Sequence, residues 1–159
     1  MLYGGAARPA IAGAHLVIAG EGPERAALSA LADRLGVGGR THLIGWRNDQ
    51  AGLLAASDMF VCPSRHEPLG NVVLEAWSAT RTVVAAAAQG PSELITQDVD
   101  GVLVPVDDAR ALAGAITALL ADAGRAAAFA AAGRAAWAER FAPEPVVARW
   151  RHFLATVQA

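Results

Sequence analysis

The chain has 159 residues, which is enough for one domain with a hydrophobic core, and 54% of them are hydrophobic. Charged residues make up 18% and the formal net charge is −2, so composition favours neither a disordered chain nor a nucleic-acid-binding protein. A single cysteine, Cys62, excludes an internal disulfide, and the absence of an apolar signal core or membrane-length apolar run predicts a soluble, cytoplasmic protein.

Strand and helix patterns alternate along the chain. Five short apolar runs predict strands, and the segments between them show helical spacing or helix-capping residues. Because these runs are apolar throughout rather than at alternate positions, we expect a parallel sheet with helices on both faces, an α/β fold. In chain order, the predicted strands are 15–20, 40–45, 58–63, 81–88 and, after a turn, the last part of 100–106. The predicted helices are 23–35, a short one capped by Asn48, 71–79, one from Asp107 or Asp108 to Leu120, 124–140 and 144–157, and residues 90–95 are predicted to be a loop leading into a helical turn.

The segment of the last two predicted helices, residues 124–157, carries five of the nine Phe, Trp and Tyr residues of the chain. Such side chains bury much apolar area when a helix packs against a domain. We therefore expect these helices to pack onto the body of the protein through Trp137, Phe141, Trp150 and Phe153.

The most informative segment is residues 64–75, SRHEPLGNVVLE, which follows the third predicted strand. A strand, a glycine-containing bend and a helix start come in this order, and Asn71 is placed to cap the helix. A helix start presents unbonded N–H groups, which bind anions such as phosphate. Glu67 and Glu75 flank it, and because like charges repel, they suit the hydroxyl groups of a nucleotide-sugar rather than its phosphates. Their spacing carries no meaning alone, since another pair of acids shares it.

Six segments of the chain, in this order, resemble family 4 (group 1) glycosyltransferases of the GT-B fold. They are LVIAGEGPE, THLIGW, LLAASDMFVCPSRHEPLGNVVLEAWSA, VVA, GPSELI and DGVLVPVDD. The resemblance covers about residues 15–120, whereas 1–14 match poorly and 121–159 form the C-terminal helices. It implies a single Rossmann-like domain over residues 1–159, the donor-binding half of a GT-B architecture without its N-terminal acceptor domain.

The resemblance also implies an activity, that of a hexosyltransferase-like enzyme. Such an enzyme transfers a sugar from a UDP- or GDP-type nucleotide-sugar to a carbohydrate or glycolipid, with retention of configuration and without a metal or other cofactor. The SRHEPLG variant favours a bacterial lipopolysaccharide core or another surface polysaccharide as the acceptor. Lacking the acceptor domain, the chain alone is expected to be inactive, and membrane contact is expected only through the missing half.

Carried onto this sequence, the resemblance implies a donor site around residues 64–75. Glu67, the catalytic candidate, would bind hydroxyls of the transferred sugar and position it rather than attack it. Glu75 would accept both ribose hydroxyls. The other residues carried over are the backbone at Leu69, Gly70 and Asn71 near the sugar and diphosphate, the turn at Gly20 and Gly22 near the phosphates, and Trp46 and Arg47 at the base pocket. From their positions in the sequence, His66 beside Glu67 is a candidate general base or supporting hydrogen-bond donor, and the Gly90 backbone is a candidate for ligand contact.

The sequence departs from the family pattern in three places. The upstream Arg and Lys pair that normally faces the diphosphate is not matched, and only Arg8 lies upstream. Thr80, Arg81 and Thr82 stand where the family usually has Gly and then Pro. The first strand and helix of the domain are not found, so a sheet edge is expected to self-associate or to pair with another segment.

Other interpretations stay open at this point. The two acids are also compatible with ordinary surface positions, in which case the chain is an inactive nucleotide-binding module. A GT-B-type nucleotide-sugar epimerase would need a further acid/base pair that the sequence does not show. NAD binding is disfavoured, because the dinucleotide fingerprint needs a small residue where Arg25 stands and an acid after the next strand.

Overall fold

The computed structural model describes residues 13–157, and the chain divides into one unit ending at Gln50 and a second beginning at Ala51. Strands and helices alternate in both units, and every strand pair is parallel, as predicted. Within residues 13–157, the hydrogen-bonded ladders group five strands into a two-stranded sheet, β1-β2, and a three-stranded sheet, β3-β4-β5.

The first unit contains β1 (Leu16–Ala19), α1 (Arg25–Arg34), a 3₁₀ turn (Gly38–Arg40) and β2 (Thr41–Gly45). Helix α1 stops where predicted, because Gly36 takes the left-handed conformation with φ of +68° that commonly ends a helix.

Strand β1 is less buried than its sequence predicts. Leu16 and Val17 are 50% and 51% exposed, although their apolar run is typical of a strand covered on both faces. The expectation of a buried first strand is therefore wrong for the described residues. The predicted association through a sheet edge is not tested by this exposure and stays a prediction.

The second unit contains the remaining strands and helices. They are α2 (Gln50–Ala55, which starts at the last residue of the first unit), β3 (Met59–Cys62), α3 (Asn71–Ser78), β4 (Thr82–Ala86), α4 (Gln89–Leu94), β5 (Val102–Val104), α5 (Ala109–Ala121), α6 (Ala123–Arg140) and α7 (Pro143–Val157). Helices α5 and α6 begin with aspartate caps, in which Asp108 accepts from the Ala111 N–H at 2.8 Å and Asp122 accepts from the Arg125 N–H at 2.9 Å.

The core of the second unit lies on both faces of β4, the central and fully buried strand. Val83 and Ala85 face one cluster, which contains Trp77 of α3. Val84 faces the other, which contains Leu119 of α5 and Phe129 of α6. Alternate side chains of one apolar strand thus fill two cores, as expected for a sheet covered on both sides.

Trp77 joins α3 to its surroundings. Its side chain is fully buried, and its indole N–H donates to the Asp100 carbonyl at 3.1 Å. Helix α6 passes at Gly133, where a Cβ would overlap the indole ring. Asp100 is itself buried, and its Oδ1 accepts from the Thr96 N–H at 2.7 Å. Burial raises the pKa of Asp100, and the hydrogen bonds from the Thr96 and Asp100 backbone oppose this rise.

The aromatic residues of the C-terminal helices divide into two pairs. Trp137 and Phe141 pack against the core as predicted. Trp150 and Phe153 of α7 are 60% and 54% exposed and pack edge to face on each other, so the prediction that they anchor α7 on the body is wrong. One side of α7 remains apolar and exposed.

No single helix within residues 13–157 is long and apolar enough to cross a membrane. Helix α5 and the segment Ala123–Val157 reach the length and apolar composition of a membrane span only when taken together, and the two are bent by 104° relative to each other.

Candidate functional site

The loops that follow β3 and β4 meet at two glycines. The Gly90 N–H donates to the Glu67 carbonyl at 2.7 Å. A Cβ on Gly70 would lie 2.6 Å from Leu94 Cδ1 and 3.0 Å from the Gly90 carbonyl carbon, and a Cβ on Gly90 would lie 2.5 Å from the Leu69 carbonyl carbon. Neither position has room for a side chain, so the two loops are held in direct backbone contact beyond the carboxyl ends of the strands.

Helix α3 begins at this contact. Its N-cap is Gly70, in the left-handed conformation with φ of +72°, and Gly70 O accepts from the Val73 N–H at 2.9 Å. The prediction that Asn71 caps the helix is wrong, because Gly70, in a left-handed conformation that favours glycine, is the N-cap and Asn71 is the first residue of the helix. The N–H groups of Asn71 and Val72 have no hydrogen-bond partner among the described residues, which is the arrangement that binds anions.

Glu67 lies beside this helix start. Its side chain is half-buried, and its Oε1 accepts from the Gly70 N–H at 3.0 Å. The carboxylate therefore fixes the bend that leads into α3 and also places a negative charge at the tip of the loop. A hydroxyl group, which donates a hydrogen bond, is the kind of ligand that suits such an acceptor.

Glu75 lies one helical turn after Asn71, and both are exposed. Residues four apart share one side of a helix, and the buried side of α3 is formed by Val73, Ala76 and Trp77. The Glu75 carboxylate thus stands on the same exposed side as the first residue of the helix. The structure brings Glu67, Glu75 and the α3 start into one region of the second unit.

Three other side chains of the loop, those of Arg65, His66 and Leu69, are exposed. His66 and Leu69 both face solvent, and no hydrogen bond of the His66 ring is recorded among the described residues. Arg65 forms an ion pair with Asp107, from its Nε to Asp107 Oδ1 at 2.6 Å. The sequence did not predict this pair, because its members stand 42 positions apart and carry no local signal.

The predicted site residues of the first unit lie at the carboxyl ends of β1 and β2. The Gly20 N–H donates to Gly45 O at 2.8 Å, and Gly20 has a φ of +141°, which favours glycine. Gly22 O accepts from the Arg25 N–H at 3.3 Å in the turn before α1. Trp46 is exposed and donates through Nε1 to Asn48 Oδ1 at 2.8 Å.

Arg47, next to Trp46, is exposed as well. The roles that the resemblance gives to these first-unit residues stay predictions. Arg8 lies outside the described residues. Within residues 13–157, no three His, Cys, Asp or Glu side chains come together as a group that could hold a metal ion.

Comparison with known proteins gives consistent results. A family model described as glycosyl transferases group 1 matches residues 5–122. The lipopolysaccharide core biosynthesis glycosyltransferase LpsE of Rhizobium meliloti is 37% identical over 144 residues, which are 91% of this chain and 42% of LpsE. LpsD of the same organism, also a lipopolysaccharide core biosynthesis glycosyltransferase, is 43% identical over 68% of this chain and 32% of its own length.

Solved structures resemble the fold closely. The Anabaena protein HepE in complex with UDP superposes with a TM-score of 0.80 at 29% identity, covering 91% of this chain and 41% of HepE. WaaG, a glycosyltransferase involved in lipopolysaccharide biosynthesis, gives a TM-score of 0.73 at 27% identity, covering 80% of this chain and 34% of WaaG. The chain therefore spans less than half the length of these relatives.

Proposed function

The chain belongs to the group 1 glycosyltransferases, and from that membership we propose that it binds the nucleotide-sugar donor of a glycosyl transfer at the start of α3. One observation carries the proposal: the Asn71 and Val72 N–H groups stand unpaired at a helix start, with the Glu67 carboxylate beside them and Glu75 on the same exposed side of α3 as Asn71. HepE, solved with UDP and with UDP-glucose, supports the ligand class.

The proposed chemistry follows from charge. In glycosyl transfer the departing diphosphate gains negative charge, and a helix N-terminus offers about half a positive charge that is oriented before the reaction. This interaction contributes about 0.3–2 kcal/mol, so other groups have to supply the rest of the stabilisation. The diphosphate oxygens would accept from the Asn71 and Val72 N–H groups, whereas the carboxylates would accept from neutral hydroxyls.

Within this proposal the two acids have different partners. Glu75 accepts from the ribose hydroxyls, which every nucleoside diphosphate carries. Glu67 accepts from hydroxyls of the transferred sugar through the carboxylate oxygen that Gly70 does not engage. Glu67 is thus a residue that positions the sugar, in line with a retaining reaction that has no protein nucleophile and needs no metal.

Calorimetry distinguishes these roles. Glu75→Ala should weaken UDP and UDP-glucose alike, by about 10-fold or more, because a hydrogen bond to a charged group contributes about 1.5–3 kcal/mol. Glu67→Gln keeps an oxygen that can accept from the Gly70 N–H, so it should preserve the bend and weaken only the sugar-bearing ligand. Glu139→Ala, at an exposed acid of α6, is the matched control. Equal losses for both ligands in both variants would contradict the assignment.

The acceptor is proposed to be a lipopolysaccharide core or a related surface polysaccharide, as supported by the lipopolysaccharide core biosynthesis function of LpsE and LpsD. The chain alone is proposed to bind the donor without transferring it. Incubating it with UDP-glucose and lipopolysaccharide core acceptors tests this, and a transferred sugar detected by mass spectrometry would refute it.

A further inference from the structure

The Arg65–Asp107 ion pair joins two loops at the carboxyl end of the three-stranded sheet, the end at which the proposed donor site lies. Arg65 lies in the loop after β3 and Asp107 in the loop after β5, and both side chains are exposed. These two strands flank β4, so about 10 Å of sheet separates them, at about 5 Å per strand spacing. The pair therefore spans the carboxyl end of β4, which continues into the Gly90 segment that contacts the α3 start.

The pair uses one edge of the guanidinium group. Arg65 donates to Asp107 through Nε, and the part of the chain that the structure describes records no partner for its Nη1 and Nη2 groups. These terminal N–H groups form the planar fork that binds two oxygens of a phosphate. A carboxylate on Nε alone fixes the direction of the fork without occupying it.

Arg65 is paired with Asp107, whereas the neighbouring Asp108 caps α5 by accepting from the Ala111 N–H. Within the loop of Arg65, the nearest acid in sequence is Glu67, whose Oε1 accepts from the Gly70 N–H. An exposed ion pair contributes about 0–1 kcal/mol to stability, so holding the fold together is a weak explanation for Arg65 and Asp107. A nearby diphosphate needs a cation, because the α3 N-terminus contributes at most about 2 kcal/mol.

We propose that Arg65 binds the diphosphate of the donor through Nη1 and Nη2, and that Asp107 acts as the positioning residue that aims it. The proposal rests on the donor site described above and adds the side-chain cation that this site needs. The ligand proposed for Arg65 is a phosphate ester with at least two phosphates, because the helix N–H groups can already bind a single phosphate at the α3 start.

The chain contains a matched control pair. Arg125 Nη2 contacts Asp98 Oδ1 at the same 2.6 Å, again with both side chains exposed. Asp98 and Asp107 share the left-handed conformation, with φ of +60° and +63°. Asp98 precedes β5 and Asp107 follows it, so the control lies at the opposite end of the sheet.

The test measures the affinity of the full chain for UDP, UMP and uridine by calorimetry at low and high salt, with the guanosine series in parallel. Arg65→Gln should weaken the nucleoside diphosphate about 10-fold and flatten the salt dependence of its affinity, while the affinity for the nucleoside changes less than about 2-fold. Asp107→Ala should cause a smaller loss. Asp107→Asn should retain most of the affinity that Asp107→Ala loses, because the amide oxygen of asparagine can still accept from Arg65 Nε. Arg65→Gln combined with Asp107→Ala should bind no worse than Arg65→Gln alone.

Other outcomes overturn the inference separately from the donor site. A wild-type chain that binds UDP or GDP, with an Arg65→Gln variant that binds it equally well, refutes the role of Arg65 and leaves the donor site intact. That role is refuted in the same way if Arg125→Gln and Asp98→Ala cause equal losses, or if Arg65→Gln weakens nucleoside and nucleoside diphosphate to the same extent. A wild-type chain that binds neither nucleoside diphosphate overturns both proposals.

Discussion

Replacing Gly90 with alanine tests the contact on which the shape of the candidate site depends. The added Cβ would lie 2.5 Å from the Leu69 carbonyl carbon and 2.7 Å from Glu67 O, and it would also overlap the Gly70 nitrogen. Since all three neighbours are backbone atoms, none can turn aside as a flexible side chain would. The loop from Glu67 to Gly70 must therefore move away from α4.

Two opposing effects determine how much Gly90→Ala changes the free energy of unfolding. Alanine is favoured over glycine within a helix by about 0.5–1 kcal/mol. Inserting a methyl group into a closely packed contact costs about 1–3 kcal/mol. The contact should dominate, so we expect the free energy of unfolding to fall by about 1–2 kcal/mol. Displacing the loop also disturbs the start of α3, and binding of UDP should weaken together with stability.

Urea denaturation and calorimetry with UDP measure these two effects. Gly114→Ala is the matched control, because Gly114 is an exposed residue within α5 whose added Cβ would meet nothing within 4 Å. That variant should gain about 0.5–1 kcal/mol and bind UDP like the wild type. If Gly90→Ala were as stable as Gly114→Ala, the backbone contact between the two loops would be wrong.

Three further predictions concern stability. Gly133→Ala should lower the free energy of unfolding by about 1–3 kcal/mol in urea despite its helical position, because the methyl group overlaps the Trp77 indole; a gain in stability would contradict that packing. Asp108→Ala should cost about 0.5–2 kcal/mol by the same measurement, since it removes the cap of α5, and an unchanged midpoint would show that the cap contributes little. Burial raises the pKa of Asp100 above 3.8, so the folded chain holds the proton of the Asp100 carboxyl group more tightly than the unfolded chain does. The stability that this difference contributes is present below about pH 4 and is lost as the pH rises through the raised pKa. Asp100→Asn should remove this loss, which makes the wild type less stable relative to the variant at pH 7 than at pH 4, and a pH-independent difference in urea would refute the assignment.

Local signals in the sequence predict most of the elements. The apolar run at 81–88 predicts β4, and the prolines and aspartates after residue 106 place the helix starts to within one or two residues. Glycine after a periodic segment marks the end of α1 at Gly36. These features act over a few residues, so the sequence alone is sufficient to find them.

Long-range contacts account for what the sequence does not predict. Asn71 is a good capping residue in isolation, but Gly70, which takes the left-handed conformation and closely approaches Gly90, is the N-cap instead. The aromatic residues of α7 have the spacing of a packed helix, yet Trp150 remains exposed. The partner of Arg65 lies in another loop, the one after β5. None of these outcomes has a signature within the local segment.

The most direct test of donor binding at the α3 start follows the backbone amides of an isotope-labelled chain during titration with UDP and GDP by NMR. We predict that the Asn71 and Val72 amide resonances shift strongly, because the proposed site places the diphosphate against their N–H groups. The Gly124 and Arg125 amides, at the aspartate-capped start of α6, should stay in place. Saturation with a nucleoside diphosphate that leaves the Asn71 and Val72 resonances unmoved would contradict binding at this helix start.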